Sequence, residues 1–380
     1  MKVAVATAFP QNPAAPHGGV EAVSVNLVKA LAGLGGLEVY VVTTDRACRD
    51  VSVSVWEGAT IHRLPWAGGK TLTHAIGPGR RQMEEYIARL KPDVVHAHDT
   101  YGLMVLHVPV PRVFTIHGFI HEDTRIADGR LAWLRWRLWR RVETAGWAGQ
   151  PHIISISPYV RERLRGIATG VIHDIDNPVG EEFFRIVRDE QRGLIFCAAT
   201  ICSRKNTLGL LEAFARLLES GVEAELHLAG KADDRAYEGH VRRFIDERGL
   251  RERVTILRGI PADHVRKELA RASVFALVSL EEGAPMGVAE AMAAGVPVVT
   301  SNRCGMPYMV RDGESGFLID PLNPDDIAAR LKRLFDDDGL RTAMGTKSRQ
   351  VAEDRFHPDR VAKRTHDVYQ RAIQGFRNDG

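Results

Sequence analysis

Cysteine is scarce in this chain, with four in 380 residues at Cys48, Cys197, Cys202 and Cys304. They share no C-x-x-C spacing and form no short secreted framework, so they read as ordinary thiols of a reducing compartment. Long apolar runs are missing too: nothing approaches the roughly 18 residues that a membrane-spanning helix needs. The opening residues enter an apolar strand at Val3-Ala4-Val5-Ala6 without the basic stretch and apolar core of a secretion signal. A cytoplasmic protein is therefore expected. Charge of one sign is also lacking. A net charge of +3 is too small to imply nucleic acid as a partner. There is no G-x-G-x-x-G fingerprint, no Walker loop and no H-E-x-x-H metal motif.

The hydrophobic and charged fractions, 44% and 26%, are those of a globular protein, and the length fits two domains better than one core. Short β-rich runs alternate with helical patterns throughout. Strands are expected at Lys2–Thr7 and near Glu38–Thr44, Asp93–Ala97, Arg112–Ile116 and His152–Ser155. After Asn177-Pro178-Val179 the pattern restarts with Gly193–Ala199 and runs on to Val296-Pro297-Val298-Val299. Such alternation predicts α/β architecture with parallel sheets covered on both faces. The expected fold class is two doubly wound Rossmann-type domains in series, with strand C-termini towards a shared cleft. The expected boundaries are 1–178, 179–357, and a final helix over 358–380 that crosses back to the first domain.

Ser279–Asn302 is the stretch around which the chemistry is organised. A strand turns through Glu281-Glu282-Gly283-Ala284 into a small-residue helix, which Gly295 ends. Pro285 is expected in the first helical turn. Glu282 and Glu290 bracket the free amides of that helix start, a ready anion site, so a phosphorylated polar ligand is implied. Two loops add to it. Gly18-Gly19 ends the first strand–helix connection and allows close backbone approach. Arg204-Lys205 follows the first strand of the second half, placed to reach phosphate.

Taken together these pieces resemble the retaining glycosyltransferases of GT-B fold, family 4 (group 1 type). The motif Glu282-x7-Glu290 followed by Ala291-Met292-Ala293-Ala294-Gly295-Val296-Pro297 carries the resemblance. Gly18-Gly19, Thr115-Ile116-His117-Gly118, Ser155-Ile156-Ser157, Asn177-Pro178-Val179, Lys205 and Asp312-Gly313-Glu314-Ser315-Gly316-Phe317-Leu318 support it. The resemblance implies that a sugar passes from a nucleoside diphosphate, UDP- or GDP-linked, to an acceptor hydroxyl, without a metal or other cofactor. The setting it implies is cell-envelope or polysaccharide biosynthesis. It places His117 and Glu282 at the donor sugar and Glu290 on the ribose hydroxyls. The diphosphate falls to the amides of Met286, Gly287 and Val288, Lys205 and the Gly19 amide, Gly283 is a further donor-binding residue, and the base lies beside Arg258, Gly259 and Ile260. The family's phosphate-binding arginine position is Thr200 here, and Arg204 is the neighbouring cation expected to compensate. Tyr308 stands where many members have glutamate. A silent sugar-nucleotide binder and a GT-B epimerase are the alternative readings.

Two groupings look like metal sites. Asp174-Ile175-Asp176 has D-x-D spacing, and His96, His98 and Asp99 can be grouped with His117, His121, Glu122 and Asp123. Neither has a metalloenzyme motif, and cleft histidines are the expected reading. Arg130–Trp147, RLAWLRWRLWRRVETAGW, is the most unusual segment. Helical periodicity aligns Leu131, Leu134, Leu138 and Val142 as a core-facing stripe, with Trp133, Trp136 and Arg140 opposite, flanked by Arg137. Trp133, Trp136, Arg137 and Arg140 are thus candidates for an acceptor or a peripheral membrane surface.

Overall fold

The computed structural model describes residues 1–126, 132–232 and 234–378, the side chains of Asp123, Arg125 and Ile126 excepted. The chain divides into two compact units, Met1–Pro178 with Pro358–Gly380, and Val179–His357. In the first, eight strands run β1 (Lys2–Ala6), β2 (Glu38–Asp45), β3 (Ser52–Trp56), β4 (Ala59–Pro65), β5 (Val94–His98), β6 (Arg112–Ile116), β7 (His152–Ser155) and β8 (Val171–Asp174). Their order across the sheet is β3-β4-β2-β1-β5-β6-β7-β8. The described helices of this unit before Pro178 are α1 (Gly19–Gly33), α2 (Thr71–Ile76), α3 (Pro78–Leu90), α4 (Tyr101–Met104), α5 (Ile120–Ile126), α6 (Ala132–Ala148) and α7 (Pro158–Leu164). All neighbouring strands pair in parallel except β3 with β4.

The second unit holds α8 (Glu181–Phe184), β9 (Leu194–Ala198), α9 (Thr207–Glu219), β10 (Glu225–Ala229), α10 (Arg235–Glu247), β11 (Val254–Leu257) and α11 (Ala262–Arg271). It continues with β12 (Val274–Leu277), α12 (Met286–Ala293), β13 (Val298–Ser301), β14 (Gly316–Ile319), α13 (Pro324–Asp336) and α14 (Asp338–Arg355). Its six strands are all parallel, in the order β11-β10-β9-β12-β13-β14. The final helix α15 (Pro358–Asn378) belongs to the first unit, where it packs on α1, β5 and β6.

Central strands such as β1, β5 and β12 are buried on both faces, so their apolar runs are continuous rather than alternating. His96 breaks the apolar run of β5 at no cost in unpaired atoms. Its Nδ1 meets the Tyr369 hydroxyl of α15 at 2.7 Å and its Nε2 the Thr115 hydroxyl at 2.7 Å. Burial, then the neighbouring His117, pushes the pKa of His96 down to about 3, so the ring stays neutral.

Two expectations are corrected. The second sheet does not close at Val299: β14 adds an edge strand from the Gly316-Phe317-Leu318 motif. The apolar stripe of α6 exists but faces outwards, with Leu134 48% and Leu138 49% exposed, while Leu131 lies outside the described residues. The buried side is set instead by Glu143, Gly146 and Trp147. Gly146 lets the helix approach Leu103, where an added Cβ would lie 2.3 Å from a methyl group. Polar anchoring and close approach outweigh the burial of two leucines.

Candidate functional site

Open parallel sheets bind ligands where strand order reverses, outside the strand C-termini. In the second unit that point lies between β9 and β12. The loops leaving these strands are joined there. Leu280 donates its amide to the Arg204 carbonyl at 2.8 Å, and Arg204 Nη1 donates to the Glu281 carbonyl at 3.0 Å and to Glu282 Oε1 at 2.7 Å. Lys205 Nζ pairs with the same Oε1. The Glu282 side chain is only 11% exposed, so two cations share one largely enclosed carboxylate.

Helix α12 starts beside this cluster. Pro285 is its N-cap rather than its first helical residue, and Val288 donates back to the Pro285 carbonyl at 3.2 Å. The Val288 amide is therefore spent inside the helix. Met286 and Gly287, as the first two residues, have no carbonyl four residues back within it. Gly287 is required by packing: a Cβ would lie 2.9 Å from the Ala198 carbonyl oxygen and 3.1 Å from the Phe275 ring. That close approach brings the helix start against the end of β9. Gly283 lies in the preceding turn, fixed as Gly305 donates to the Glu282 carbonyl at 2.8 Å.

Glu290 sits further along α12 with its carboxyl raised to about 7, by burial first and then by the charge of Glu182. Part of the residue's surface stays open. Arg258 points outwards and pairs with Glu238 of α10, while Ile260 packs on the core. Beside them an open groove of about 430 Å³ is lined by Leu257, Ile260, His264, Lys267 and Arg271.

In the first unit the order reverses between β1 and β5. The β1–α1 loop ends at Gly18, whose φ of 99° suits glycine, and α1 begins at Gly19 with its amide unclaimed by the helix. Arg63 on β4 steadies that loop through the carbonyls of Phe9, at 2.8 Å, and Pro10. At the end of β5, His98 Nδ1 meets His117 Nε2 at 3.0 Å. His117 is held neutral, its pKa lowered to about 4 by burial against an opposing pull from the Asn177 side chain. Its Nδ1 has no partner in hydrogen-bond geometry among the described residues.

Two carboxylates hold the segment that carries His117, and neither was anticipated in that role. Asp99, in the left-handed region at φ 45°, accepts the His117 amide at 2.8 Å. Burial raises Asp99 to about 7, against the His117 and Gly118 amides that favour its ionised form. Glu143 of α6 accepts the Ile120 amide at 3.0 Å, the His121 amide at 2.8 Å and His121 Nδ1 at 2.9 Å. Asp99 has a signal, since it ends a strand that enters the site. Glu143 has none, because its helix reads as an amphipathic surface element.

The remaining candidates lie on α6. Trp133 is 60% exposed, Arg137 and Arg140 are exposed, and Trp136 is half-buried with the Arg140 guanidinium 5.4 Å from its ring centroid. Asp174 is taken by Arg161. The side chain of Asp123 lies outside the described residues. Among the described residues no three of His, Cys, Asp and Glu are grouped to hold a metal ion, and no helix is long and apolar enough to cross a membrane.

The family model described as glycosyl transferases group 1 matches residues 179–351, and the one described as glycosyltransferase family 4 matches residues 17–182. The chain is a family 4, group 1 glycosyltransferase. It is 28% identical over 300 residues to an MMP alpha-(1->4)-mannosyltransferase of Mycolicibacterium hassiacum, which spans 74% of this chain and 71% of that one. Among solved structures it resembles sucrose-phosphate synthase from Thermosynechococcus elongatus, with TM-score 0.81, 20% identity and 98% and 99% of the two chains covered. It also resembles Anabaena HepE in complex with UDP and glucose, with TM-score 0.74, 14% identity and 97% and 99% covered. These likenesses establish the GT-B fold for the glycosyltransferase.

Proposed function

We propose that this glycosyltransferase moves a sugar from a nucleoside-diphosphate sugar, UDP- or GDP-linked, to an acceptor hydroxyl with retention of anomeric configuration and without a metal. The acceptor is a glycan, a lipid-linked glycan or a small metabolite of cell-envelope or polysaccharide biosynthesis, and the protein acts at the cytoplasmic face, in peripheral contact with a membrane. One observation carries the reading: Arg204, Lys205 and Glu282 converge at the switch point beside the start of α12. The mannosyltransferase relative and the UDP and glucose of the HepE structure support a nucleotide-sugar donor.

In this reading the Met286 and Gly287 amides, the positive end of α12, Lys205 and Arg204 receive the diphosphate. The difficult charge is the one that grows on the leaving phosphate as its bond to the anomeric carbon breaks, and preorganised donors aimed there lower the barrier. The acceptor oxygen bonds to that carbon and its proton passes to the leaving phosphate. Glu282 stabilises the cationic sugar centre. Neutral His117 offers a donor or an acceptor to a sugar hydroxyl without adding charge. Glu290 accepts both ribose hydroxyls, and the base lies beside Arg258 and Ile260. The Gly18-Gly19 turn and Gly283 give the backbone room against the donor.

A panel of UDP- and GDP-sugars tests this. Nucleoside diphosphate should be released with at least one donor, and chelator should leave the rate unchanged. Glu290→Ala should weaken nucleotide binding, and Glu282→Ala should slow turnover. Release with no donor, while nucleoside diphosphates still raise the melting temperature, would favour a silent sugar-nucleotide binder.

A further inference from the structure

The outward face of α6 does not follow from glycosyl transfer and needs its own account. Trp133, Leu134, Arg137, Leu138 and Arg141 fall within one arc of about 140° at 100° per residue. Trp133, Leu134 and Leu138 are 60%, 48% and 49% exposed, and Arg137 and Arg141 are exposed beside them. From Ala132 to Val142 the chain has four arginines, three tryptophans and no carboxylate. The helix's one carboxylate, Glu143, is on the buried side and holds the start of α5. The exposed face is thus apolar and cationic at once.

We infer that this face of α6 is a docking surface for an anionic lipid bilayer, with the tryptophan and leucines seated among headgroups and the arginines on lipid phosphates. The inference rests on the membrane contact in the proposed function and names its surface. Charge decides the partner. A protein-facing helix that buried Leu134 and Leu138 would strand the Arg137 and Arg141 charges beside them, whereas an anionic headgroup layer pairs with them while the apolar side chains leave water. Tryptophan with arginine suits that layer because each has an apolar body and a polar end. The surface also connects to the chemistry. Glu143, on the opposite side of the same helix, holds the Ile120 and His121 amides three and four residues beyond His117.

Sedimentation of the full chain with vesicles tests this, using phosphatidylcholine alone and a roughly 3:1 mixture with phosphatidylglycerol. The wild type should sediment with the anionic vesicles, be released as salt rises, and stay in solution with the neutral ones. Arg137→Gln/Arg141→Gln should weaken partitioning about 30-fold, at about fivefold per charge. Trp133→Ser/Leu134→Ser/Leu138→Ser should abolish it while leaving the melting temperature and its rise with nucleoside diphosphate unchanged. The inference is overturned by equal sedimentation with both vesicles, by none with either, or by a serine variant that binds like wild type. That last result would mark the arginines as a general polyanion contact. Nucleotide binding with no lipid binding removes the docking surface alone; lipid binding with no nucleotide response removes the glycosyl-transfer reading alone.

Discussion

In the proposed reading, stability and ligand binding pull in opposite directions at Glu290. Its carboxyl rises from 4.5 to about 7 in the folded protein, by burial and then by Glu182. At about 1.4 kcal/mol per pKa unit the full shift corresponds to about 3 kcal/mol. Part of the residue stays open to water, so about 2–3 kcal/mol is the reasonable expectation. A raised pKa on an acid means that the folded state holds a proton the unfolded state has released. Below about pH 4.5 both states are protonated and nothing is lost. As pH rises through about 7 the folded state takes on the cost of a buried charge. Glu290→Gln, neutral at every pH, should therefore match the wild type near pH 4.5 and exceed it at pH 8. For a unit of this size the difference is about 4–10 °C in melting temperature. The measurement is calorimetry of the ligand-free protein across that range. The same variant should bind nucleoside diphosphate more weakly at pH 8, and wild-type affinity should fall about tenfold from pH 8 to pH 6 as Glu290 protonates. A glutamine variant no more stable than wild type at pH 8, or equally stabilised at both pH values, would refute the reasoning.

Tyr369→Phe removes the hydroxyl that meets buried His96 and should cost about 1–3 kcal/mol, read as a lower denaturation midpoint with α15 losing amide protection first. Asp99 rises from 3.8 to about 7 and protonates as pH falls through that value, weakening its hold on the His117 amide. Turnover should then fall on the acid side of about pH 7, and Asp99→Asn, which keeps an acceptor oxygen and loses the proton, should flatten that limb of the profile.

Elements that span the core were legible because burial on both faces leaves continuous apolar runs, as in Val3-Ala4-Val5-Ala6 and Val274-Phe275-Ala276-Leu277. Edge elements were not. The β3–β4 pair lies at the margin, with Val53 and Val55 of β3 57% and 77% exposed, and β14 is four residues long. Helix α14 announces itself by its cap rather than by periodicity, whereas α13 has both, with Ile327, Leu331, Leu334 and Phe335 buried along one face. Asn323 accepts the Asp325 and Asp326 amides, and Asp337 accepts that of Leu340. The α6 error has a different origin. Periodicity correctly found the stripe of leucines but could not say which way it faced, because the inner side was fixed by Glu143 and by Gly146 against Leu103. Of the candidate site, the turn and helix of the α12 segment were legible apart from the place of Pro285 and the state of the Val288 amide, while the pairing of Arg204 and Lys205 with Glu282 was not. It joins two loops about 80 positions apart that carry no shared local pattern.

That pairing changes what Glu282 is expected to do. With Thr200 at the position where the resemblance expects an arginine, the cations at the switch point are Arg204 and Lys205, and both rest on Glu282 Oε1. A diphosphate arriving at α12 must draw them off that oxygen, so Glu282 competes with the ligand for its own counter-ions. Truncation then has two effects of opposite sign. Glu282→Ala removes the carboxylate that two adjacent cations share, which should tighten nucleoside-diphosphate binding by about fivefold, the worth of one partly screened ion pair. It should slow turnover all the same, because the carboxylate is lost from the sugar side and release of the tightened product becomes slower. Titration calorimetry with the nucleoside diphosphate, alongside single-turnover rates, separates the two. Weaker diphosphate binding in the variant would mean that Glu282 orients the cations rather than competing for them.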